Sequence, residues 1–324
     1  MSLIEKAVER LDQLKQAGVT LPDDPAPAAQ APVVAARQAV PDVAEAVAQA
    51  ATPPLTSAAP AVEPSAVAPR AVTEIDVARL AALGLVSPEQ PNSPIAEQYR
   101  IIKRPLLRNV QGRGAAPLAN ANLVMITSSL PGEGKSFSAI NLALSIAMEL
   151  DHTVLLVDAD VSKPSVLNTL GLPPSSGLMD VLLGQASSVG DVILRTSIEK
   201  LSVLPAGMPH RRATELLASD SMNRLLDEMA TRYSDRIIIF DSPPLLVTTE
   251  ARALATHMGQ VVMVVESERT TQAMVRQALS TIEACPVKLM LLNKTDMASN
   301  TGHYGVYGYG YGYGYGQTRE ASHA

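Results

Sequence analysis

The chain has 324 residues, of which 47% are hydrophobic and 3% aromatic, and its formal net charge is −6. This length allows one large domain or two modest ones, and the negative charge argues against a general nucleic-acid-binding protein. A single cysteine, Cys285, excludes an intrachain disulfide and fits a reducing cytoplasm, and no apolar run approaches the roughly 20 residues that span a bilayer.

Residues 1–20 predict a short amphipathic helix, because apolar side chains recur at helical spacing among balanced acids and bases. The balance of charge favours a helix that docks on a partner over a membrane anchor. Residues 21–72 are dominated by Ala, Pro and Val, which bury little surface. They predict an extended linker without a fold of its own.

Residues 73–121 predict a helical segment that leads into the main domain. Within it, "SPIAEQYRIIKRPLLRN" has the pattern of a helix with Ser93 as its N-cap. Pro105 lacks a backbone N–H and predicts an interruption of that helix.

Residues 122–297 alternate between apolar strands and helical stretches. The strand segments are apolar at every position, which is typical of parallel strands covered on both faces. Methionines within them, such as Met263 and Met290, are predicted to fill the core. The pattern predicts an α/β fold with a doubly wound, mostly parallel sheet of the P-loop NTPase type. Residues 298–324 form a polar tail rich in Gly and Tyr.

A phosphate-binding loop follows the first strand of this domain. "SSLPGEGKS", Ser128 to Ser136, fits G-x-x-x-x-G-K-[ST] except that Ser129 stands at the first glycine. Backbone N–H groups at the start of a helix can converge on phosphate oxygens, Lys135 adds a cation, and Ser136 is placed to bind Mg²⁺. The segment predicts a nucleotide site.

Aspartates end two other predicted strands. Asp241 follows "IIIF", where a carboxylate can hold hydrated Mg²⁺. Asp158 and Asp160 follow "VLLV" two residues apart. A carboxylate at a strand end can be a simple helix cap, but acids opposite a phosphate loop favour one metal contact and one general base.

The tail suggests what such a base would serve. Six of the eight tyrosines lie in "YGVYGYGYGYGYG". A tyrosine hydroxyl has a pKa near 10 and is a poor nucleophile at neutral pH unless a carboxylate accepts its proton. The predicted phosphate acceptors are Tyr304, Tyr307, Tyr309, Tyr311, Tyr313 and Tyr315.

From about Ser93 to the C-terminus the chain resembles the bacterial tyrosine kinases, P-loop autokinases of exopolysaccharide export. The resemblance rests on "PGEGKS", on the two aspartate-bearing strand ends and on the tyrosine cluster, in that order. It implies a protein-tyrosine kinase that uses ATP and Mg²⁺ and phosphorylates its own tyrosine cluster in trans. The implied catalytic residues are Lys135, Asp158, Asp160 and Asp241. The implied metal ligands are Ser136, Asp158 and Asp241, and the ATP-binding residues are Pro131, Gly132, Glu133, Gly134, Lys135, Ser136, Phe137 and Asn293.

"EQYRIIKRPLL" looks like the oligomerisation helix of that family, E-x-x-R-x-x-R, which implies a homo-oligomeric ring. Glu97 and Arg100 match, whereas Lys103 stands at the second arginine, with Arg104 beside it. Lys cannot form the bidentate fork of Arg. Many relatives carry membrane-spanning helices on the same chain, whereas no apolar run here is long enough for one. The chain therefore resembles the relatives whose membrane activator is a separate protein. Its implied activator is a separate membrane polysaccharide co-polymerase, which would hold it at the inner membrane. The N-terminal helix and "YRIIKRPLL" further suggest the exosortase-associated tyrosine autokinases.

Other functions remain open at this stage. Asn293, Lys294 and Asp296 spell N-K-x-D, the guanine-reading pattern of GTPases, although Ser242 and the two prolines after it break the expected D-x-x-G. A partition-type ATPase would carry an extra lysine early in the loop, which is missing here. The tail could also drive assembly as a low-complexity segment. The basic run His210–Arg212 could meet phosphates or acidic partners, or simply begin a solvated helix.

Overall fold

The computed structural model describes residues 71–295. The predicted N-terminal helix, the linker up to residue 70 and the Gly-Tyr tail lie outside these residues, as does Asp296. The domain boundaries given above therefore stay predictions. Within the described range, no helix combines the length and the apolar character needed to cross a bilayer.

Strands and helices alternate through most of the described range. The strands are β1 (Val72–Thr73), β2 (Leu123–Ser128), β3 (Thr153–Asp158), β4 (Leu194–Thr196), β5 (Leu201–Leu204), β6 (Arg236–Asp241), β7 (Gln260–Glu266) and β8 (Val287–Asn293). The helices are α1 (Val77–Ala82), α2 (Pro94–Val110), α3 (Lys135–Ala147), α4 (Val166–Leu170), α5 (Leu178–Leu182), α6 (Val189–Val192), α7 (Ala213–Leu217), α8 (Asp220–Arg232), α9 (Glu250–Ala255) and α10 (Gln272–Ser280).

The eight strands form one sheet in the order β1-β4-β5-β3-β6-β2-β7-β8. All neighbouring strands are parallel except β4 and β5. Because β6 lies between β3 and β2, its last residue, Asp241, is in register with Asp158 of β3 and Ile126 of β2. The predicted doubly wound, mostly parallel sheet is confirmed, and its carboxyl edge gathers the loops that follow β2, β3 and β6.

Two hydrophobic clusters cover the two faces of the sheet. Val124 and Ile126 pack in the cluster that contains α2 and α3, whereas Leu123 and Met125 pack in the other cluster, with α8 and α9. Successive strand residues thus enter opposite cores, which explains why these strands are apolar at every position.

Two predictions about single residues are wrong. Helix α2 is continuous through Pro105, with the Ser93 hydroxyl accepting a hydrogen bond from the Ala96 N–H at 3.4 Å. The carbonyl that loses its donor belongs to Ile101, whose residue is 73% exposed, so water can satisfy it. Met290 is 52% exposed, because the edge strand β8 is covered on one face only; Met263, on an inner strand, is buried as predicted.

Candidate active site

The phosphate loop joins β2 to α3. Gly132 and Gly134 have φ of 89° and 98°, a conformation that favours glycine. Gly134 is also the N-cap of α3, and a Cβ there would lie 2.0 Å from Nδ2 of Asn293. The backbone conformation therefore favours glycine at position 134, and a side chain there would also displace the Asn293 amide.

A buried acid holds the loop in place from inside. Glu133 is 2% exposed, its Oε2 accepts a hydrogen bond from the Leu130 N–H at 2.6 Å, and its Oε1 accepts one from the Thr270 hydroxyl. The sequence predicted Glu133 only as part of the nucleotide site. Its anchoring role was missed, because Thr270 lies 137 positions away in the chain and belongs to no motif.

The end of β8 holds the same loop from outside. The Asn293 side chain donates from Nδ2 to the Glu133 carbonyl at 2.9 Å. Lys294 donates from Nζ to the Gly132 carbonyl at 2.7 Å and to Oε1 of Glu266 at 3.1 Å. The two described residues of the N-K-x-D pattern thus contact the phosphate loop.

Lys135 forms an ion pair with Asp160. Its Nζ lies 2.6 Å from Oδ2 of Asp160 and 3.4 Å from Oγ of Ser136. The other Asp160 oxygen accepts a hydrogen bond from the Lys163 N–H at 3.2 Å. The predicted cation and the second aspartate of the "DAD" segment are therefore in direct contact.

Asp158 is buried at the end of β3. Its Oδ2 accepts hydrogen bonds from the N–H groups of Ser165 and Val166, each at 3.0 Å, whereas Oδ1 has no partner among the described residues. Burial, followed by the charge of Asp241, raises the pKa of Asp158 to about 7. A carboxyl with this pKa can accept a proton near neutral pH through its free oxygen.

Asp241 is buried at the neighbouring strand end. Neither of its oxygens accepts a hydrogen bond of normal geometry from a described residue. Burial raises the pKa of Asp241 to about 6, although Lys135 and the nearby Ser136 hydroxyl act in the opposite direction. Buried carboxylate oxygens without partners are costly unless a cation or donor joins them.

These donors fit Mg²⁺. Within residues 71–295, no three His, Cys, Asp or Glu side chains converge closely enough to hold a metal alone. Mg²⁺ does not need such a cage, since it is commonly bound by one or two carboxylates with phosphate and water oxygens. Ser136, Asp158 and Asp241 offer a hydroxyl and three carboxylate oxygens without normal partners.

A pocket of about 560 Å³ adjoins Asp158. Pro164, Leu167 and Leu172 supply apolar walls, while Asn168 adds an amide. Among the predicted ATP-binding residues, Phe137 is half-buried and packs against the core. The carboxyl edge of β2, β3 and β6 carries all four predicted catalytic residues, which are Lys135, Asp158, Asp160 and Asp241.

The predicted oligomerisation residues lie elsewhere, on α2. Glu97 and Arg100 form an ion pair within the helix, and Arg100 also donates to the Pro91 carbonyl at 3.1 Å. Lys103 is only 4% exposed and lies 2.7 Å from Glu149. It is thus engaged inside its own chain, at the end of α3 opposite the phosphate loop.

Comparison with known proteins gives the family. A family model described as an AAA domain matches residues 121–294. Tyrosine-protein kinase YwqD of Bacillus subtilis is 33% identical over 226 residues, which cover 69% of this chain and 91% of YwqD. The succinoglycan biosynthesis transport protein ExoP of Rhizobium meliloti is 32% identical over 64% of this chain, a match that spans only 26% of ExoP.

Among solved structures, the chimerical protein CapA2B2 is 32% identical with a TM-score of 0.54, over 68% of this chain and 92% of that one. The matched region contains the phosphate loop together with Asp158 and Asp160. The chain belongs to the bacterial tyrosine-protein kinases, within the AAA-domain family of P-loop proteins.

Proposed function

We propose that this protein is an ATP-dependent tyrosine autokinase that phosphorylates the tyrosine cluster of its own tail in trans. The acceptors are Tyr304, Tyr307, Tyr309, Tyr311, Tyr313 and Tyr315. The names of its relatives support the reaction class, and the site supplies a phosphate loop, metal-binding oxygens and a base. The observation that carries the proposal is that Asp158, whose Oδ1 has no partner among the described residues, is buried and lines an apolar pocket.

Each group has a separate role in the transfer. Lys135 and the loop N–H groups hold the β- and γ-phosphates of ATP, with Pro131, Phe137 and Asn293 contributing to the nucleotide site. Ser136 and Asp241 would hold Mg²⁺, which neutralises phosphate charge when bound, whereas Asp158, also predicted as a ligand, keeps its one unpartnered oxygen for the proton. Asp160 keeps the Lys135 ammonium at the site through their ion pair.

The reacting tyrosine enters the pocket beside Asp158. Its hydroxyl oxygen forms a bond to the γ-phosphorus as the bond to the β–γ bridging oxygen breaks, so that ADP leaves. The phenolic proton passes to the Asp158 carboxylate, whose pKa burial raises, so that it is a stronger base than an exposed carboxylate. Apolar walls suit a phenol ring, since they remove it from water.

We further propose that this activity regulates exopolysaccharide polymerisation and export. ExoP is named for succinoglycan transport, which supports a link to a polysaccharide system. The activator would be a separate membrane co-polymerase that holds the kinase at the cytoplasmic face of the inner membrane. The kinase would act as a homo-oligomeric ring in which Glu97, Arg100 and Lys103 belong to the oligomerisation helix.

Complementation between two defective chains tests transfer in trans. One chain carries Lys135→Met with an intact tail, and the other has an intact site but Phe at all six tail tyrosines. We expect phosphotyrosine only when both are mixed with Mg-ATP, all of it on the Lys135→Met chain by mass spectrometry. ATP and GTP are compared as donors in the same assay, and we expect ATP to serve.

The control is each chain incubated alone, in a preparation from a host without other tyrosine kinases. Phosphotyrosine on the Lys135→Met chain by itself would contradict the assigned site. Absence of product from the mixture, while the unmodified protein phosphorylates itself, would contradict transfer in trans.

A further inference from the structure

Three consecutive basic residues follow directly on the wall of the pocket beside Asp158. Gly207, Met208 and Pro209 line that pocket, and His210, Arg211 and Arg212 come next in the chain; we name residues 210–212 the basic loop. Both arginines are exposed. The ion pairs found within residues 71–295 include neither of them, so their charges are available to a ligand.

A second segment adds a cation at the same pocket. Lys163 is exposed and precedes Pro164, which also lines the pocket. Its side chain has no ion-pair partner within the described part of the chain. Free positive charge therefore flanks the pocket on two segments that are far apart in sequence, although the whole protein is acidic.

The spacing of the tail matches this arrangement. From Tyr307 to Tyr315 the tyrosines occur at every second position. In an extended chain, such residues lie on one face and their Cα atoms are about 7 Å apart. Arg211 is two residues beyond Pro209, so its Cα lies within about 7.6 Å of a pocket-lining residue. If one tyrosine enters the pocket with the tail extended, its neighbour in the repeat can reach the basic loop.

Phosphorylation changes what that neighbour can bind. A phosphotyrosine carries about −1.5 to −2 charge and three acceptor oxygens, which Arg binds through charge-assisted, often bidentate hydrogen bonds. An unmodified tyrosine offers a single hydroxyl. The basic loop is thus complementary to the product of one transfer and not to its substrate.

We propose that the basic loop binds a phosphotyrosine of the tail and thereby makes a once-phosphorylated tail a better substrate than an unmodified one. This inference rests on the proposed kinase function. Binding of the first product beside the pocket places the next tyrosine of the repeat at Asp158, so that transfers follow one another along the tail.

Two synthetic peptides of residues 304–316 test the proposal, one unmodified and one with phosphotyrosine at the position of Tyr311. The enzyme is the full chain with all six tail tyrosines replaced by Phe, so that its own tail does not compete as an acceptor. We expect kcat/KM for the primed peptide to exceed that for the unmodified peptide about tenfold. Arg211→Gln with Arg212→Gln should abolish this preference without slowing transfer to the unmodified peptide.

The matched control is Arg224→Gln with Arg276→Gln, which removes the same charge from exposed helical positions on α8 and α10 and should retain the preference. Fluorescence polarisation with both peptides, without nucleotide, gives a readout that does not need activity. The primed peptide should bind about tenfold more tightly, and only the basic-loop variant should lose this difference.

Several outcomes would overturn the inference. They are equal rates for both peptides with the unmodified loop, a preference that survives in the basic-loop variant, or an equal loss for both peptides in that variant. The last result would assign the arginines to the transfer itself. Binding of phosphatidylserine vesicles through the loop, without a preference between the peptides, would also contradict it. Failure of both peptides to accept phosphate would instead contradict the proposed kinase function, and with it the proposed role of the basic loop.

Discussion

Two acidic side chains, Asp158 and Asp241, end neighbouring strands and are almost completely buried. Ionising both costs free energy, because each loses water and each repels the other. The pKa of Asp158 is raised to about 7 and that of Asp241 to about 6, mainly by burial. Ionisation of both carboxyls is therefore unfavourable, and a bound cation can relieve this cost.

The first prediction concerns the stability of the protein without nucleotide and metal. Between pH 4 and pH 7 the Asp158 and Asp241 carboxyls bind more protons in the folded chain than in the unfolded chain, where the Asp pKa is 3.8, so their contribution to the free energy of unfolding should fall as the pH rises. The loss should reach several kcal/mol, since one pKa unit is worth about 1.4 kcal/mol. Urea denaturation across this pH range measures it.

Asp158→Asn should reduce this pH dependence, because Asn keeps an oxygen for the N–H groups of Ser165 and Val166 but does not ionise. Asp151→Asn is the control, since Asp151 is exposed and should leave the slope unchanged. If the free energy of unfolding of Asp158→Asn changed with pH as it does in the unmodified protein, the raised pKa of buried Asp158 would be contradicted.

Gly134 supports a second prediction. Gly134→Ala should lower nucleotide affinity at least tenfold, because the new methyl group would displace Asn293 from the loop. Gly112→Ala separates strain from collision, since Gly112 also has positive φ, at 68°, but no neighbour within 4 Å of a new Cβ. It should cost about 1–2 kcal/mol of stability without affecting the nucleotide. Binding of a fluorescent ATP analogue is measured for the Gly134→Ala and Gly112→Ala variants. Unchanged affinity of the Gly134→Ala variant would contradict the prediction.

At the scale of elements, α2 is attached to the C-terminal end of α3, the helix that begins in the phosphate loop. The Lys103 ammonium lies 2.6 Å from the Ser145 carbonyl and 2.7 Å from Glu149. Burial lowers the pKa of Lys103, whereas Glu149 acts to raise it. Lysine suits this position because its compact ammonium fits at a helix C-terminus, where a cation is favourable.

Glu149→Gln should destabilise the protein by about 1–3 kcal/mol, because it leaves a buried ammonium with neutral partners only. Glu228→Gln is the matched control. Glu228 pairs with Arg232 at the surface, where both side chains are more than half exposed, so its loss should change the free energy of unfolding very little. Equal effects of the two substitutions on the urea midpoint would show that the Lys103 pair contributes nothing special.

Local sequence predicted the elements well where one interaction dominates. Apolar runs gave the central strands, and Gly134 with Lys135 marked the start of α3. Pro105 misled, because the cost of its missing N–H depends on whether water reaches the carbonyl one turn earlier. Met290 misled because hydrophobicity alone does not tell an edge strand from an inner one.

At the scale of the whole molecule, the sheet order explains why the candidate site could be predicted only in part. Carboxylates at strand ends were recognisable, since parallel strands bring their carboxyl ends to one edge. The contacts of Glu133 with Thr270 and of Lys294 with Gly132 were not, because they join segments more than 100 positions apart without a shared motif. The pocket beside Asp158 likewise needs loops from several crossovers.

The reach of the tail does not by itself exclude transfer within one chain. Tyr304 follows residue 295 by nine residues, a span of up to about 30 Å when extended. We nevertheless expect transfer in trans, so tenfold dilution of the dephosphorylated protein should lower the initial rate per chain, up to about tenfold where the oligomer dissociates. Quenched-flow sampling with mass spectrometry measures this rate. A rate per chain independent of dilution would favour transfer within one chain.

The grip of Asn293 and Lys294 on the phosphate loop has a mechanical consequence. Lys294, whose side chain donates to the Gly132 carbonyl, directly follows β8 and precedes the tyrosine-rich tail in the sequence. A pulling force on the tail would act on these two contacts first. Through them it would act on the phosphate-loop backbone that would surround ADP after transfer. Binding of the tail to another molecule would then favour release of ADP.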